Sequence, residues 1–142
     1  MRSDPEGILE AAITAIALED VESAAAFFDE NAEFAILIPV GVLPFGGTFK
    51  GRKSFTKRLA MIAGEFHVAR FSARTILPCD EGLRTQIDYS FHHRSSGQAI
   101  DGVMRVVARI RDGKIVRWHE FQDTERVEAF MRLVNSTKRP RE

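Results

Sequence analysis

Residues 99–122 read AIDGVMRVVARIRDGKIVRWHEFQ, and this stretch decides the fold. From residue 100 to residue 110 every even-numbered position is apolar or small, whereas Arg105, Arg109 and Arg111 stand at odd-numbered positions. Such alternation is typical of a β-strand with one buried face and one solvated face. Asp112-Gly113 interrupts the pattern, and this pair favours a tight turn between antiparallel strands. The stretch therefore predicts a β-hairpin whose even-numbered residues on the first strand face inward.

The same pattern predicts how the second strand of the hairpin faces the core. A two-residue turn would direct Arg117 and His119 inward, whereas a three-residue loop would direct Trp118 and Glu120 there. Because the inner face of the first strand is otherwise apolar, we predict a three-residue loop over residues 111–113.

The predicted loops also set which residues lie opposite one another. The three-residue loop places Glu120 opposite Met104, and a turn at residues 96–97 places Tyr89 opposite Met104 on its other side. Tyr89, Met104 and Glu120 would then form one row across three strands.

Helices and further strands flank this hairpin. Helical periodicity and capping residues predict helices near 5–18, 20–28, 54–64 and 124–134, and alternation predicts strands near 33–38, 48–51, 66–77 and 83–93. The 142 residues suffice for one domain. We expect an α+β fold, a curved antiparallel or mixed sheet wrapped around N-terminal helices, with an internal pocket.

Composition narrows the class of protein. Twenty Lys and Arg balance twenty Asp and Glu, so no net charge would attract nucleic acid or an anionic membrane. Cys79 is the single cysteine, which suits a reducing compartment such as the cytoplasm. The sequence contains no apolar run of the roughly 20 residues that cross a bilayer. It also has no cluster of His and Cys with ligand spacing and no phosphate-binding glycine motif, so we expect no metal and no cofactor.

Polar side chains on the predicted inner face carry the candidate chemistry. Glu120 would be desolvated there, which raises a carboxyl pKa and suits the group to moving a proton. Tyr89 could donate a hydrogen bond to a developing oxyanion. We take both as candidate catalytic residues, with backbones roughly 10 Å apart. The candidate substrate-binding residues on this face are Trp118, Met104, Phe91, His93 and Gln122.

Structural roles for the same residues remain open at this point. Glu120 would be hydrated or paired if it lay at the open rim of the sheet. Tyr89 would be a core residue if its hydroxyl reached water. His93 is expected to be solvent-exposed near a hairpin end. Asp88 is expected to point outward, opposite Arg105, and to form a cross-strand ion pair.

Two segments resemble a known family. They are LPFGGTFKGR at residues 43–52 and DGKIVRWHEFQD at residues 112–123, each preceding a predicted helix. With the order of elements, they make the chain resemble SnoaL-like proteins of the nuclear transport factor two-like and ketosteroid-isomerase-like superfamily. The resemblance implies one cone-shaped domain over residues 1–142, commonly a homodimer. It also implies a small hydrophobic organic ligand and activities that include polyketide aldol cyclisation, isomerisation, dehydration and epoxide hydrolysis.

The resemblance carries over to only some site residues. Glu120 falls where cyclases and epoxide hydrolases of this type place an inward acid on the last strand. The base of the steroid isomerases would fall near Ile38 and their protonated aspartic acid near Val106, so steroid isomerisation is not expected. Gln86 stands where the epoxide hydrolases would have the arginine of an Arg-x-Asp pattern, so their full triad is absent.

Two hypotheses of function follow. The first is a cofactor-independent isomerase, cyclase or lyase in which Glu120 moves a proton beside a carbonyl and Tyr89 stabilises the enolate. The second is a non-catalytic module that binds a hydrophobic ligand or mediates dimerisation. The outer face of the sheet mixes apolar and basic residues, which favours a two-fold dimer through that convex face.

Overall fold

The computed structural model describes residues 3–38, 41–42 and 46–138. It confirms the predicted α+β fold, a curved and unclosed six-stranded mixed sheet with four helices. None of the helices within these ranges is long and apolar enough to span a membrane. The elements in chain order are α1 (Pro5–Ala17), α2 (Val21–Ala26), β1 (Phe28–Ile36), β2 (Gly47–Lys50), α3 (Arg52–Glu65), β3 (Phe66–Cys79), β4 (Gly82–His93), β5 (Ala99–Arg111), β6 (Lys114–Phe121) and α4 (Thr124–Lys138).

The sheet has the strand order β2-β1-β6-β5-β4-β3. β1 and β6 run parallel, and every other neighbouring pair is antiparallel. β1 therefore inserts between the short edge strand β2 and the long meander formed by β3 to β6. This arrangement brings the N-terminal part of the chain against β6, the strand that carries Glu120.

Capping residues start three helices where the sequence predicts them. The Asp4 carboxylate accepts a hydrogen bond from the Gly7 backbone N–H at 3.1 Å, and Asp20 accepts one from Ser23 at 3.2 Å. Asp123 likewise accepts from the backbone N–H of Arg126 at 3.2 Å, as expected of a helix cap. Each cap satisfies an N–H group that the first turn of a helix leaves without a partner.

The second helix is shorter than predicted. It ends at Ala26, and Phe28, predicted to be its last apolar residue, instead begins β1. The backbone N–H of Ile115 donates to the carbonyl of Phe27, which anchors the start of β1 to β6. Pairing with β6 thus overrides the helical pattern here. The predicted loop between the first two strands lies partly outside the described residues, at positions 39–40 and 43–45.

The turn between β5 and β6 differs from the prediction. Arg111 pairs with Lys114 across a two-residue turn in which Asp112 has φ 52° and Gly113 has φ 77°. The left-handed pair matches the twist of the flanking strands, which explains why it replaces the three-residue loop. The ladder then shifts by one residue, so that Val116 forms a β-bulge.

The bulge preserves the predicted facing and changes the predicted pairing. Trp118 is 3 % exposed and Glu120 9 % exposed on the inner face, whereas Phe121 is 42 % exposed on the outer face. Glu120 nevertheless lies opposite Val106, two residues from the predicted partner Met104. The predicted pairing on this side is therefore wrong, although the inner face is right.

The pairing between β4 and β5 also differs from the prediction by two residues. His93 pairs with Gln98 around a four-residue loop, whereas we predicted a turn at residues 96–97. Tyr89 therefore lies opposite Gly102, and Ile87 takes the place opposite Met104. The predicted row of Tyr89, Met104 and Glu120 does not form. The backbones of Tyr89 and Glu120 are offset by four residues, roughly 14 Å along the strands.

Candidate functional site

A cavity of about 140 Å³ lies between the inner face of the sheet and the helices. Its size is close to the roughly 150 Å³ of an engineered apolar cavity that holds benzene, so it suits one six-membered ring. All six strands and all four helices contribute to the lining, which is mainly apolar. The charged and polar side chains in this lining are Glu19, Arg58, Tyr89, Glu120 and Gln122.

Glu120 is the buried acid of the cavity, and both of its carboxylate oxygens accept hydrogen bonds. Trp118 Nε1 donates to one oxygen at 3.1 Å, and Gln122 Nε2 donates to the other at 2.5 Å. The three residues alternate along one strand direction, so their side chains share the inner face. Burial raises the pKa of Glu120 above its ordinary value of 4.5, and the two hydrogen bonds oppose this shift. The group is thus oriented and favours its protonated form more than an exposed carboxyl does.

Aromatic packing fixes the tryptophan that orients this acid. The Phe28 ring lies 5.8 Å from the Trp118 ring, between centroids, and 4.4 Å from the Phe55 ring. Phe34 lies 5.2 Å from Phe28 and pairs with Trp118 across β1 and β6. This cluster holds the indole in place, because a filled aromatic core resists rotation of its side chains.

Tyr89 lines the cavity, and the position of its ring depends on the absence of a side chain at Gly102. A Cβ added to Gly102 would lie 2.6 Å from the Tyr89 hydroxyl oxygen, so the ring extends over Gly102. Burial raises the pKa of Tyr89; Arg126 opposes this effect, and the carboxylates of Glu120, Asp123 and Asp101 add to it. The phenol therefore remains a hydrogen-bond donor at neutral pH.

We expect Gly102→Ala to displace the Tyr89 ring and lower the free energy of unfolding by about 1–3 kcal/mol, the usual cost of overpacking. Thermal unfolding and the phenol resonance in NMR measure this change, because Tyr89 is the single tyrosine of the chain. Gly64→Ala is the matched control, since an added Cβ there meets nothing within 4 Å. An unchanged phenol resonance in Gly102→Ala would show that the ring is not seated on Gly102.

Sequence reasoning missed two charged residues in the lining. Arg58 lies on α3 with its guanidinium carbon 4.0 Å from the centroid of the Phe49 ring. Glu19 has a left-handed φ of 58° and binds Arg94 at 2.7 Å and His67 at 2.9 Å. Arg58 follows Phe55 by three residues on α3, so the sequence spacing places it beside the apolar face of this helix. Glu19 sits between two helices and gave no such signal.

Of the predicted binding residues, Trp118, Met104, Phe91 and Gln122 line the cavity. His93 does not belong to its lining, and the expectation that it is exposed is also wrong, since it is 1 % exposed.

The buried His93 ring connects a hairpin loop to a helix end. Its Nδ1 lies 2.7 Å from Ser96 Oγ, and its Nε2 lies 3.0 Å from a carboxylate oxygen of Glu65. Phe66 packs edge-on at 5.1 Å between ring centroids. These contacts give His93 a structural position at the end of β4.

Asp88 faces outward as predicted, with a different partner. Arg74 on β3 binds its carboxylate through two nitrogens, the shortest contact being 2.7 Å, whereas Arg105 pairs with Gln86. The hydrogen bonds from Arg74 hold the pKa of Asp88 below its usual value. In the described ranges no three His, Cys, Asp or Glu side chains form a group that could hold a metal ion.

Comparison of the sequence with models of known protein families identifies the family of this chain. A family model described as a SnoaL-like domain matches residues 9–118. The chain belongs to the SnoaL-like family. No curated protein sequence matches this SnoaL-like chain.

Solved structures share the fold of this SnoaL-like protein at low sequence identity. An NTF2-like protein from Burkholderia thailandensis E264 is 20% identical with a TM-score of 0.74, covering 99% of this chain and 100% of that chain. A protein from Rhodopseudomonas palustris, provisionally described as an isomerase, is 19% identical with a TM-score of 0.74, covering 87% and 91%. An LEH-like epoxide hydrolase from M. tuberculosis is 14% identical with a TM-score of 0.71, covering 91% and 90%. At these identities the likeness concerns the fold.

Proposed function

We propose that this SnoaL-like protein is a cofactor-independent enzyme of the isomerase, cyclase or lyase type, with Glu120 as its general acid–base. The observation that carries the proposal is the buried Glu120 carboxyl, oriented by Trp118 and Gln122 in an otherwise apolar lining. A buried carboxyl costs stability, and a pKa raised towards neutrality suits proton transfer. The isomerase and epoxide hydrolase descriptions of structurally similar proteins agree with an enzyme of this general class.

The proposed chemistry begins at a carbon next to a carbonyl. The ionised Glu120 removes a proton from that carbon, and the electron pair of the broken C–H bond forms an enolate. Although their backbones are offset, Tyr89 and Glu120 both line the cavity, and the Glu120 carboxylate contributes to the raised pKa of Tyr89. Tyr89 donates a hydrogen bond to the enolate oxygen, which disperses the developing charge. Return of the proton at another carbon gives isomerisation, attack of the enolate carbon on a second carbonyl gives cyclisation, and loss of a β-substituent gives elimination.

The alternative is a non-catalytic module that binds a hydrophobic ligand. It has its own support, because Trp118 and Gln122 already satisfy both oxygens of Glu120. A satisfied buried carboxyl can serve structure alone. On this reading the cavity binds a ring-sized ligand and Glu120 moves no proton.

Deuterium exchange distinguishes the two functions without knowledge of the natural substrate. The protein is incubated in D2O with single-ring ketones such as cyclohexanone and cyclopentanone, and NMR follows loss of the protons beside the carbonyl. The enzyme hypothesis predicts exchange that exceeds the buffer rate and saturates with ketone concentration. Exchange at the buffer rate for every ketone that binds would overturn it in favour of the binding module.

We further propose a homodimer formed through the outer face of the sheet. Val103 and Phe121 are 41 % and 42 % exposed on that face, and Leu37, 46 % exposed, follows β1 beside Phe121. Adjacent exposed apolar side chains are typical of a protein interface. The free thiol of Cys79 agrees with a reducing compartment, and we propose the cytoplasm.

We expect light scattering at micromolar concentration to give twice the 16.0 kDa mass of the chain. Phe121→Lys should give the monomer mass, because it would bury a charge at the interface. Met61→Lys changes an equally exposed residue on α3 and should leave the dimer intact. A wild-type mass of 16.0 kDa would rule out the dimer.

A further inference from the structure

Arg58 is held in a defined position beside the cavity. Its guanidinium stacks on Phe49 at 4.0 Å, and Phe49 in turn stacks on Phe34 at 4.6 Å with an interplanar angle of 6°. Arg58 Nη1 donates to the carbonyl of Gly46 at 3.2 Å. Arg58 Nε also donates to Ser54 Oγ at 3.5 Å. Stacking and these two hydrogen bonds fix the plane of the group, which reduces the entropy lost when a further partner binds.

The positive charge of Arg58 has no acidic partner in the part of the chain that the structure describes. Glu19, also in the lining, is paired with Arg94 at 2.7 Å and contacts His67 at 2.9 Å. Glu120 receives its hydrogen bonds from the neutral donors Trp118 and Gln122, and a carboxyl can become neutral by taking up a proton. An arginine cannot lose its charge in this way. Arg58, which is partly buried, therefore carries a permanent charge that no acidic side chain of the described residues neutralises.

We infer that the ligand of this cavity is a single-ring compound bearing an anionic group, and that Arg58 binds this group. The inference deepens the proposed function, because it names the substrate class of the same site. The apolar lining accommodates the ring, while the free donors of the guanidinium match the oxygens of a carboxylate.

The geometry separates the anion from the acid. Arg58 stacks on Phe49 of β2, and Glu120 lies on β6, with β1 between these two strands. Two strand spacings put the backbones of Phe49 and Glu120 about 10 Å apart, which leaves room for a ring between Arg58 and the Glu120 carboxyl. The ring and its reacting carbon would lie between the two groups.

The test compares two probes of the same shape that differ in charge, 3-phenylpropanoate and 3-phenylpropanamide. Binding is followed by the fluorescence of Trp118, the single tryptophan of the chain, which lines the cavity. We expect the wild-type protein to bind the carboxylate about 10- to 100-fold more tightly than the amide, the range for a charge-assisted hydrogen bond. Arg58→Gln should abolish this preference, and Arg58→Lys should retain part of it.

Lys57→Gln is the matched control, because it removes the same charge from an exposed position of the same helix and should keep the preference. The inference is overturned if the two probes bind equally well, if neither binds at millimolar concentration, or if Arg58→Gln keeps the preference. The last result would mean that Arg58 serves only to pack against Phe49. Glu120→Gln should keep the carboxylate preference, so the binding test and the exchange test can fail independently.

Discussion

Replacing Glu120 with Gln is expected to lower the rate of deuterium exchange by about 10²–10⁴-fold, the usual contribution of a general acid–base. The substitution keeps the shape of the side chain and removes its titrating proton. The new amide can accept the hydrogen bond from Trp118, and the Gln122 amide can rotate to accept one from the new N–H. Ligand affinity should therefore change little, and the loss should fall on the chemical step.

Glu81→Gln provides the control for this experiment, since Glu81 is exposed in the turn between β3 and β4 and far from the lining. It should exchange ketone protons at the wild-type rate. A wild-type rate in Glu120→Gln would instead show that Glu120 is not the base.

The same variant tests the physical basis of the Glu120 assignment through stability. A carboxyl whose pKa is raised on folding binds its proton more tightly in the native state, so the contribution of Glu120 to stability falls as pH rises above the ordinary value of 4.5. Glu120→Gln has no such proton to lose. Its free energy of unfolding, relative to wild type, should therefore increase with pH over that range and level off above the folded-state pKa. A difference that is constant with pH would contradict the desolvation of Glu120.

Phe28→Ala is expected to lower the free energy of unfolding by about 3–5 kcal/mol, the typical cost of removing a buried phenylalanine. Phe28 is 0% exposed and contacts the rings of Phe34, Phe55 and Trp118. A cavity at this place would remove packing from the indole that orients Glu120. Since a domain is stabilised by only about 5–15 kcal/mol, the loss is a large share of the total.

Urea denaturation measures this effect, and Phe27→Ala is the control. Phe27 is the neighbouring residue and is only partly buried, so its truncation should cost clearly less. Equal losses for the two variants would show that the aromatic cluster around Phe28 does not hold the structure together.

Alternation along the strands predicted the inner face and could not predict the pairing. With a two-residue turn and regular strands, Arg117 and His119 would face the core. The alternation therefore required one additional residue between Ile110 and Trp118. The alternation of inward and outward residues does not show whether that additional residue lies in the turn or in the strand. The left-handed Asp112-Gly113 pair forms a two-residue turn, and the extra residue became the bulge at Val116.

The sequence predicted those residues of the candidate site that lie on strands. Glu120, Trp118 and Tyr89 alternate with outward residues, so their position in the lining follows from the sequence pattern. Arg58 comes from a helix: its spacing from Phe55 places it beside the apolar face, but whether that edge of the helix meets the cavity depends on packing against β1 and β2. His93 was misplaced because its burial depends on Glu65, which is distant in sequence and reaches it only in the folded chain.

The bulge at Val116 has a consequence for aligning this chain with its relatives. Shortening a strand by one residue ordinarily exchanges its two faces, but removing Val116 would only regularise the ladder and leave Trp118 and Glu120 inward. A homologue with one residue fewer after this turn can thus carry the same acid at the same place. Counting from the turn would instead align its acid with His119, so the inward tryptophan is the safer reference point for the alignment.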